Sequence, residues 1–418
     1  MTNAGSPSAP EKRTLLVLAS TYPRWRGDHE PGFVHELCRR LATRFHVIAL
    51  VPDAPGADPS GELDGVEVIR YRYAPRGLQT LVNDGGIASN LRRSVWKWLL
   101  VPGFVGMQYL SARRLISRRR VDAIHAHWLV SPGIVARLLA SPALPYVVTS
   151  HGGDLFGFRH PLFAAIKRWV VSRAAAMTVV SAAMAKEVRR LVLPVEHLET
   201  IPMGVDMDGR FSMAEGDQRS TSALLFVGRL VAKKGLTHLL DAMPAILAVR
   251  PDVTLDIVGF GPERDSLQRQ VDRLGLDRNV VFLGALPQEK LPALYRHASM
   301  FVAPFVRDPS GDQEGLPVAL MEAVATGCPY VVGEVEGLDD LLGDSAGYFR
   351  VDPRDSSALT AAVLAGLADP VVAQVAASKA ADRARQCMDW SIVVRRYGDL
   401  IERSMRLDGA IGASANKT

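Results

Sequence analysis

The chain has 418 residues, 48% of them hydrophobic and 22% charged, with a formal net charge of +5. This apolar content excludes a disordered or fibrous protein, and the length exceeds what one core usually spans, so two domains are expected. Three cysteines, Cys38, Cys328 and Cys387, are widely separated and lack metal-ligand spacing, which excludes a disulfide framework or zinc site and fits a reducing, cytosolic setting.

Residues 1–12 are polar and small, with no charged-then-apolar signal pattern, and are expected to form a disordered tail; residues 409–418 read alike. Thereafter short apolar runs alternate with helical patterns, the mark of an α/β fold with parallel sheets. Residues 14–19 read as a buried strand, followed by a loop rich in proline, glycine and charge from Tyr22 to Gly32. A helix over about residues 33–43 and a strand at 46–51 complete the first unit, and Gly32 and Phe33 at that helix start can bring backbone N–H groups to a phosphate. Strands at 66–70, 123–126, 146–149 and 177–180 then make one doubly wound domain over residues 13–205.

The positive charge is unevenly spread. Between Asp84 and Asp122 there is no acidic residue, yet Arg92, Arg93, Lys97, Arg113, Arg114, Arg118, Arg119 and Arg120 lie there. Inside that window the aromatic stretch from Trp96 to Leu110 is interrupted by Pro102 and Gly103, and is too short and broken to span a bilayer. A second acid-free window, between Asp154 and Glu187, carries Arg159, Lys167, Arg168, Trp169, Arg173 and Lys186. Basic residues interleaved with Trp and Phe fit a surface lying against anionic headgroups, although two amphipathic helices with basic outer faces read the same way. No nucleic-acid recognition motif accompanies them.

Ser150-His-Gly-Gly-Asp154 follows a strand directly, placing His151 where it can bond a sugar hydroxyl and glycines where backbone can approach a ligand closely. His125 and His127 share one strand face, but no third metal ligand is evident, so no metal is expected; His127, Trp128 and Asp154 are taken as acceptor-side candidates lining the cleft. Asp206-Met-Asp208 matches a metal-dependent transferase pattern by chance, within a polar linker over residues 206–222.

The alternation restarts with strands at 224–227, 255–258, 280–283, 300–303 and 330–332, forming a second domain over 223–388 that faces the first across a cleft. Its first strand delivers Gly228, Arg229 and Lys234 onto a loop where two cations can neutralise a diphosphate. Val258-Gly-Phe-Gly-Pro-Glu263 lacks the third glycine of a dinucleotide fingerprint, yet Gly259 and Gly261 can approach a base or ribose. Glu314-Gly-Leu-Pro-Val-Ala-Leu-Met-Glu322 places two carboxylates around a helix start at Pro317. Carboxylate acceptors for hydroxyls, beside the free N–H groups of Gly315 and Leu316 at a dipole end that favours phosphate, point to a nucleotide sugar. A helical segment over residues 389–408 can pack back on the first domain.

In this order the motifs resemble the GT-B-fold retaining glycosyltransferases of family four, from about Leu15 to Tyr397. The matching pieces are the Gly-Arg-Leu-x-x-x-Lys-Gly loop, the Glu-x7-Glu element, Ser-His-Gly-Gly-Asp, the Pro309-Ser310 pair and the tail from Trp390 to Tyr397. The resemblance implies that Arg229 and Lys234 hold the donor diphosphate, Glu322 bonds the ribose, Glu314 contacts the donor sugar, and His151 sits beside the reacting carbon. It also implies transfer with retention, without a metal or cofactor, from a uridine or guanosine diphosphate sugar. Two departures stand out: Val335-Glu-Gly-Leu-Asp-Asp340 replaces a Gly-Gly-x-Pro-Glu turn, and Arg24, Trp25, Arg26, Asp28 and His29 fill a region where many relatives have paired glycines. The expected function is a cytoplasmic enzyme, peripheral on the inner face of the cell membrane, that builds a polysaccharide or glycolipid on a lipid-linked or glycan acceptor. The alternatives are a soluble transferase acting on a small molecule and a non-catalytic nucleotide-sugar-binding protein.

Overall fold

The computed structural model describes residues 12–415 except 29, 31, 83–85, 158–159, 214–218, 309–310, 312 and 344–348, and only the backbone of 86, 88, 89, 92 and 407–415. Most of the expected N-terminal tail, His29, Arg159 and the Pro309-Ser310 pair therefore lie outside the described residues.

Two sheets organise the chain. The first contains β1 (Thr14–Leu18), β2 (His46–Pro52), β3 (Ser60–Leu63), β4 (Val66–Tyr71), β5 (Ala123–His127), β6 (Tyr146–Ser150), β7 (Ala176–Val179) and β8 (Leu198–Thr200). Their order is β3-β4-β2-β1-β5-β6-β7-β8, parallel except for the β3–β4 hairpin. The second contains β9 (Ala223–Val227), β10 (Thr254–Val258), β11 (Val280–Gly284), β12 (Met300–Ala303), β13 (Tyr330–Gly333) and β14 (Arg350–Val351), in the order β11-β10-β9-β12-β13-β14. Leu15 to Leu18 and Leu224 to Phe226 are buried, as parallel strands covered by helices on both faces require. Strand order reverses between β1 and β5 and between β9 and β12, which creates a crevice beyond the strand carboxyl ends of each sheet.

The final helix, Trp390–Ala415, extends past the expected end, so the polar segment read as a tail is helical as far as Ala415. It returns to the first sheet, where Tyr397 Oη lies 3.4 Å from Thr178 Oγ1 and donates to the Ile201 carbonyl at 3.5 Å. Arg44 pairs with Asp399 at 2.9 Å and Glu402 at 2.7 Å. Where the chain crosses over, a side chain at Gly204 would meet the Trp390 ring at 2.3 Å, so only glycine fits beneath the indole.

The aromatic stretch is not broken. A 3-10 turn, Val95–Leu99, runs into the helix Leu100–Arg118, and Pro102 falls in its first turn, where no intrahelical donor is lost. A Cβ on Gly103 would meet the Tyr73 carbonyl at 2.7 Å, so the glycine serves close packing. Among the described residues no single helix is long and apolar enough to cross a membrane.

Candidate active site

The loops at the two switch points enclose a cavity of about 350 Å³. Gly32, Phe33, Glu36 and His151 line it from the first sheet's side, Gly228, Lys234, Gln288, Glu314, Leu316 and Glu322 from the second's, and Asp206 and Arg210 from the crossing segment.

The loop after β9 delivers the cations. Gly235 takes a left-handed φ of 68°, and any Cβ there would strike the Pro304 carbonyl at 1.8 Å, so this glycine fixes the turn that carries Lys233 and Lys234. Glu314 lies between them, 3.4 Å from Lys233 Nζ and 3.3 Å from Lys234 Nζ. Burial alone would raise the Glu314 carboxyl, but the two ammonium groups outweigh it and hold its pKa at about 2. Burial lowers the Lys234 pKa, Glu314 opposes the shift, and the neighbouring Lys233 and Arg229 charges add to it.

Glu322 has the opposite environment. It is the fifth residue of the helix Val318–Ala325. Pro317 is the N-cap rather than the first helical residue, because its extended ψ of 120° leaves only its carbonyl in the helix, accepting from Leu320 and Met321 N–H. The buried carboxylate accepts from Gln288 Nε2 at 2.7 Å and from Tyr295 Oη at 3.1 Å. Burial nevertheless dominates and lifts its pKa to about 7. Arg210 donates to Gln288 Oε1 at 2.7 Å and stands 4.0 Å from Glu36 across the cleft.

At the end of β6, His151 lies 4.9 Å from the Phe33 ring and 5.0 Å from that of Trp128. Trp128 takes a positive φ of 77°, rare for a bulky residue, and holds it because its N–H donates to the Thr149 carbonyl at 2.7 Å and its carbonyl accepts from Gly133 N–H. Gly152, with φ 106°, faces Gly315 across the cleft; a Cβ on Gly152 would come within 3.3 Å of the Gly315 backbone. Gly337 closes the same contact, since its Cβ would meet the Gly315 carbonyl at 2.5 Å.

The cleft thus brings together Gly32, His151, Gly228, Lys234, Glu314, Leu316 and Glu322, with Gly315 at the contact between its walls. Other candidates sit elsewhere. His127 is fully buried beneath His151, and Asp154 is buried as a brace, accepting from Leu129 N–H at 2.7 Å and Ser150 Oγ at 2.7 Å. The His127 ring lies against that of His151, its Nδ1 2.9 Å from His151 Nε2, and Asp154 turns back on its own loop. Gly259 and Gly261 press on the preceding loop, where added Cβ atoms would strike the Gly228 carbonyl at 1.8 Å and the Leu230 carbonyl at 2.4 Å. Their absent side chains therefore serve loop-on-loop packing. Arg24 is clamped to Asp28 at 2.8 and 2.6 Å, and Arg26 pairs with Asp64. Lys167, expected on a basic surface, is buried and donates to the Leu155 and Gly157 carbonyls at 2.9 and 2.8 Å. Sequence reasoning missed Lys233, Gln288, Tyr295 and Arg210; only the doubled Lys233-Lys234 carried a signal. Among the described residues no three His, Cys, Asp or Glu side chains converge as metal ligands.

Two doubly wound domains with a polar cleft between their switch points define the GT-B class of glycosyltransferases. The chain belongs to the group 1 glycosyltransferases of family four: residues 221–369 match the model described as glycosyl transferases group 1, and residues 33–204 match the glycosyl transferase 4-like domain. It is 30% identical to the glycogen synthase of Mycobacterium tuberculosis over 399 residues, covering 91% of this chain and 92% of that one. It is 33% identical to the GDP-mannose-dependent alpha-(1-6)-phosphatidylinositol monomannoside mannosyltransferase of Mycolicibacterium smegmatis over 383 residues, covering 85% and 90%. In fold it is similar to sucrose-phosphate synthase from Thermosynechococcus elongatus (TM-score 0.73, 20% identity, 94% and 99% covered) and to Anabaena HepE in complex with UDP-glucose (0.69, 19%, 93% and 99%).

Proposed function

We propose that this glycosyltransferase moves a sugar from a nucleoside diphosphate donor to a lipid-linked acceptor, with retention of configuration and without a resident metal. The observation that carries this reading is the pairing of a cationic loop with two buried carboxylates of opposite character in one cleft. Lys233, Lys234 and Arg229 hold the diphosphate and stabilise charge as it leaves. Glu322 accepts from the ribose hydroxyls, Glu314 contacts the donor sugar, and His151 lies beside the reacting carbon. The bond from that carbon to the diphosphate breaks as the acceptor oxygen bonds on the same face, and the acceptor's proton passes to the departing phosphate oxygen.

Support for a lipid-linked acceptor comes from the first domain's surface. Val95, Trp96, Trp98 and Leu99 are exposed, and Trp98 lies 6.5 Å from the ring of Phe163 on the helix Pro161–Val171. Leu162 and Trp169, seven residues apart on one face of that helix, are exposed too. Such a patch, flanked by arginine and lysine, suits peripheral contact with an anionic membrane. The likeness to a glycogen synthase favours a soluble glycan acceptor as the second reading.

Calorimetry with uridine, guanosine and adenosine diphosphates, with and without chelator, tests the donor site. Selective binding that survives chelator and is lost in Arg229→Ala/Lys234→Ala is expected. Binding abolished by chelator would refute the metal-free reading.

A further inference from the structure

We propose that His127 is a positioning residue: it fixes His151 as the tautomer protonated on Nδ1 and turns that N–H toward the cleft. The two rings are nearly parallel, at 14°, and His127 Nδ1 lies 2.9 Å from His151 Nε2, so one proton is shared along that line. Which ring donates follows from the other end of His127. Its Nε2 is buried without a hydrogen-bond partner among the described residues. Were His151 the donor, a neutral His127 would carry its own proton on Nε2, leaving an N–H orphaned in the core. Were His127 the donor, Nε2 would hold only a lone pair, and unsatisfied buried acceptors are tolerated better than unsatisfied donors. His127 therefore donates from Nδ1. His151 accepts at Nε2 and, being neutral, carries its proton on Nδ1.

The adjoining histidine obeys the same accounting. His125 Nε2 is 2.8 Å from Thr149 Oγ1, which is 2.6 Å from Thr178 Oγ1, and the line continues through Tyr397 Oη to the Ile201 carbonyl. A carbonyl can only accept, so the donors run outward from His125 Nε2–H, and its buried Nδ1, unpartnered among the described residues, is bare. With its donor spent on Thr149, His125 offers His127 no proton. Burial favours the neutral forms throughout, holding His125 and His151 at about 3. Phe33 and Trp128 hold the His151 ring in place.

His151, with Nε2 already occupied, then meets a ligand as a hydrogen-bond donor and not as a base. This consequence for catalysis rests on the reading that a donor sugar occupies the cleft; the tautomer itself does not.

The test uses the full chain labelled with [15N]histidine. Long-range proton–nitrogen correlation spectra, assigned with His151→Gln, are expected to show a protonated Nδ1 and a bare Nε2 for His151. His127→Asn, whose amide N–H falls close to the former Nδ1, is expected to preserve that pattern, whereas His127→Phe loses it. Release of nucleoside diphosphate from UDP-glucose and from GDP-mannose is followed in parallel. His127→Phe should lose roughly tenfold in kcat at unchanged donor KM, the scale of one hydrogen bond, and His127→Asn should recover it. A wild-type His151 protonated on Nε2 would overturn the proposal, as would Asn and Phe variants that fall equally. If the wild type releases nucleoside diphosphate from neither donor, the functional reading fails, while the wild-type spectrum still decides the tautomer.

Discussion

Glu322→Gln separates what the site costs from what it does. A carboxyl raised from 4.5 to about 7 by burial is one whose ionised form is poorly accommodated by the fold. At about 1.4 kcal/mol per pH unit, holding it ionised costs about 3 kcal/mol. The sign follows from linkage: the folded pKa lies above the unfolded one, so the folded chain binds the proton more tightly. The contribution to stability is complete below about pH 4.5 and is lost as pH rises through 7. Glutamine mimics the neutral form. Its carbonyl can accept from Gln288 Nε2, and Tyr295 Oη can rotate to accept from the new amide. At pH 8 the variant should therefore unfold roughly 5–10 °C above the wild type, given the temperature shift per kcal/mol of a domain this size. At pH 5 the difference should shrink to roughly a quarter of that, and it should be gone by about pH 4. Thermal unfolding of both proteins without nucleotide, in half-unit steps from pH 4 to 8, measures it. Parallel curves would refute the reasoning, because they would mean that Glu322 ionises in the native state without penalty.

Three further outcomes follow from the same geometry. Lys233→Ala/Lys234→Ala removes the two ammonium groups proposed to hold the diphosphate and should weaken uridine or guanosine diphosphate binding by about 100-fold, read by calorimetry. Gly337→Ala combines a φ of 100° with a 2.5 Å approach to the Gly315 carbonyl, and should cost on the order of 1–3 kcal/mol in an unfolding experiment. Gly61→Ala, with nothing within 4 Å of its Cβ, should cost far less. Trp96→Ser/Trp98→Ser/Leu99→Ser should lower partition onto vesicles containing anionic phospholipid by at least roughly tenfold. Its unfolding temperature should stay put, since these side chains are exposed.

Most strands legible in the sequence are buried on both faces, and β11, whose Val281 and Leu283 are exposed, was legible from the same unbroken apolar composition. The three that were not, β3 (Ser-Gly-Glu-Leu), β8 (Leu-Glu-Thr) and β14 (Arg-Val), are half-exposed or outside the core, so their composition reports solvent as much as pairing. Pro102 misled for a related reason: a proline ends a helix or begins one according to what precedes it, and here a 3-10 turn does. His127 ends β5 and Asp154 follows β6, but a place at a strand end does not say which way a side chain points. His127 shares its strand face with His125, and that face is covered by the final helix, whose Tyr397 ring lies 5.4 Å from His125. The return of that helix, some 270 residues later, is what covers His125, and nothing local to the strand announces it.

The two glutamates show where a motif stops informing. They are the same residue type, in one short segment, Glu322 buried and Glu314 largely so, yet one is held at about 2 and the other lifted to about 7. The difference is written in Lys233 and Lys234 on one side and in Gln288 and Tyr295 on the other, none of which belongs to the motif. Between pH 5 and 8, then, Glu314 stays ionised, His125 and His151 stay neutral, and Glu322 changes charge. A nucleotide sugar is the right probe, because its doubly esterified diphosphate has no ionisation in that window, unlike a terminal phosphate with a second pKa of about 6. An ionised carboxylate accepts hydroxyl donors better than a protonated one, so affinity should rise with pH through 7 in the wild type. It should be flat in Glu322→Gln. A rise that persists in the variant would place the titrating group elsewhere in the cleft and take the ribose contact away from Glu322.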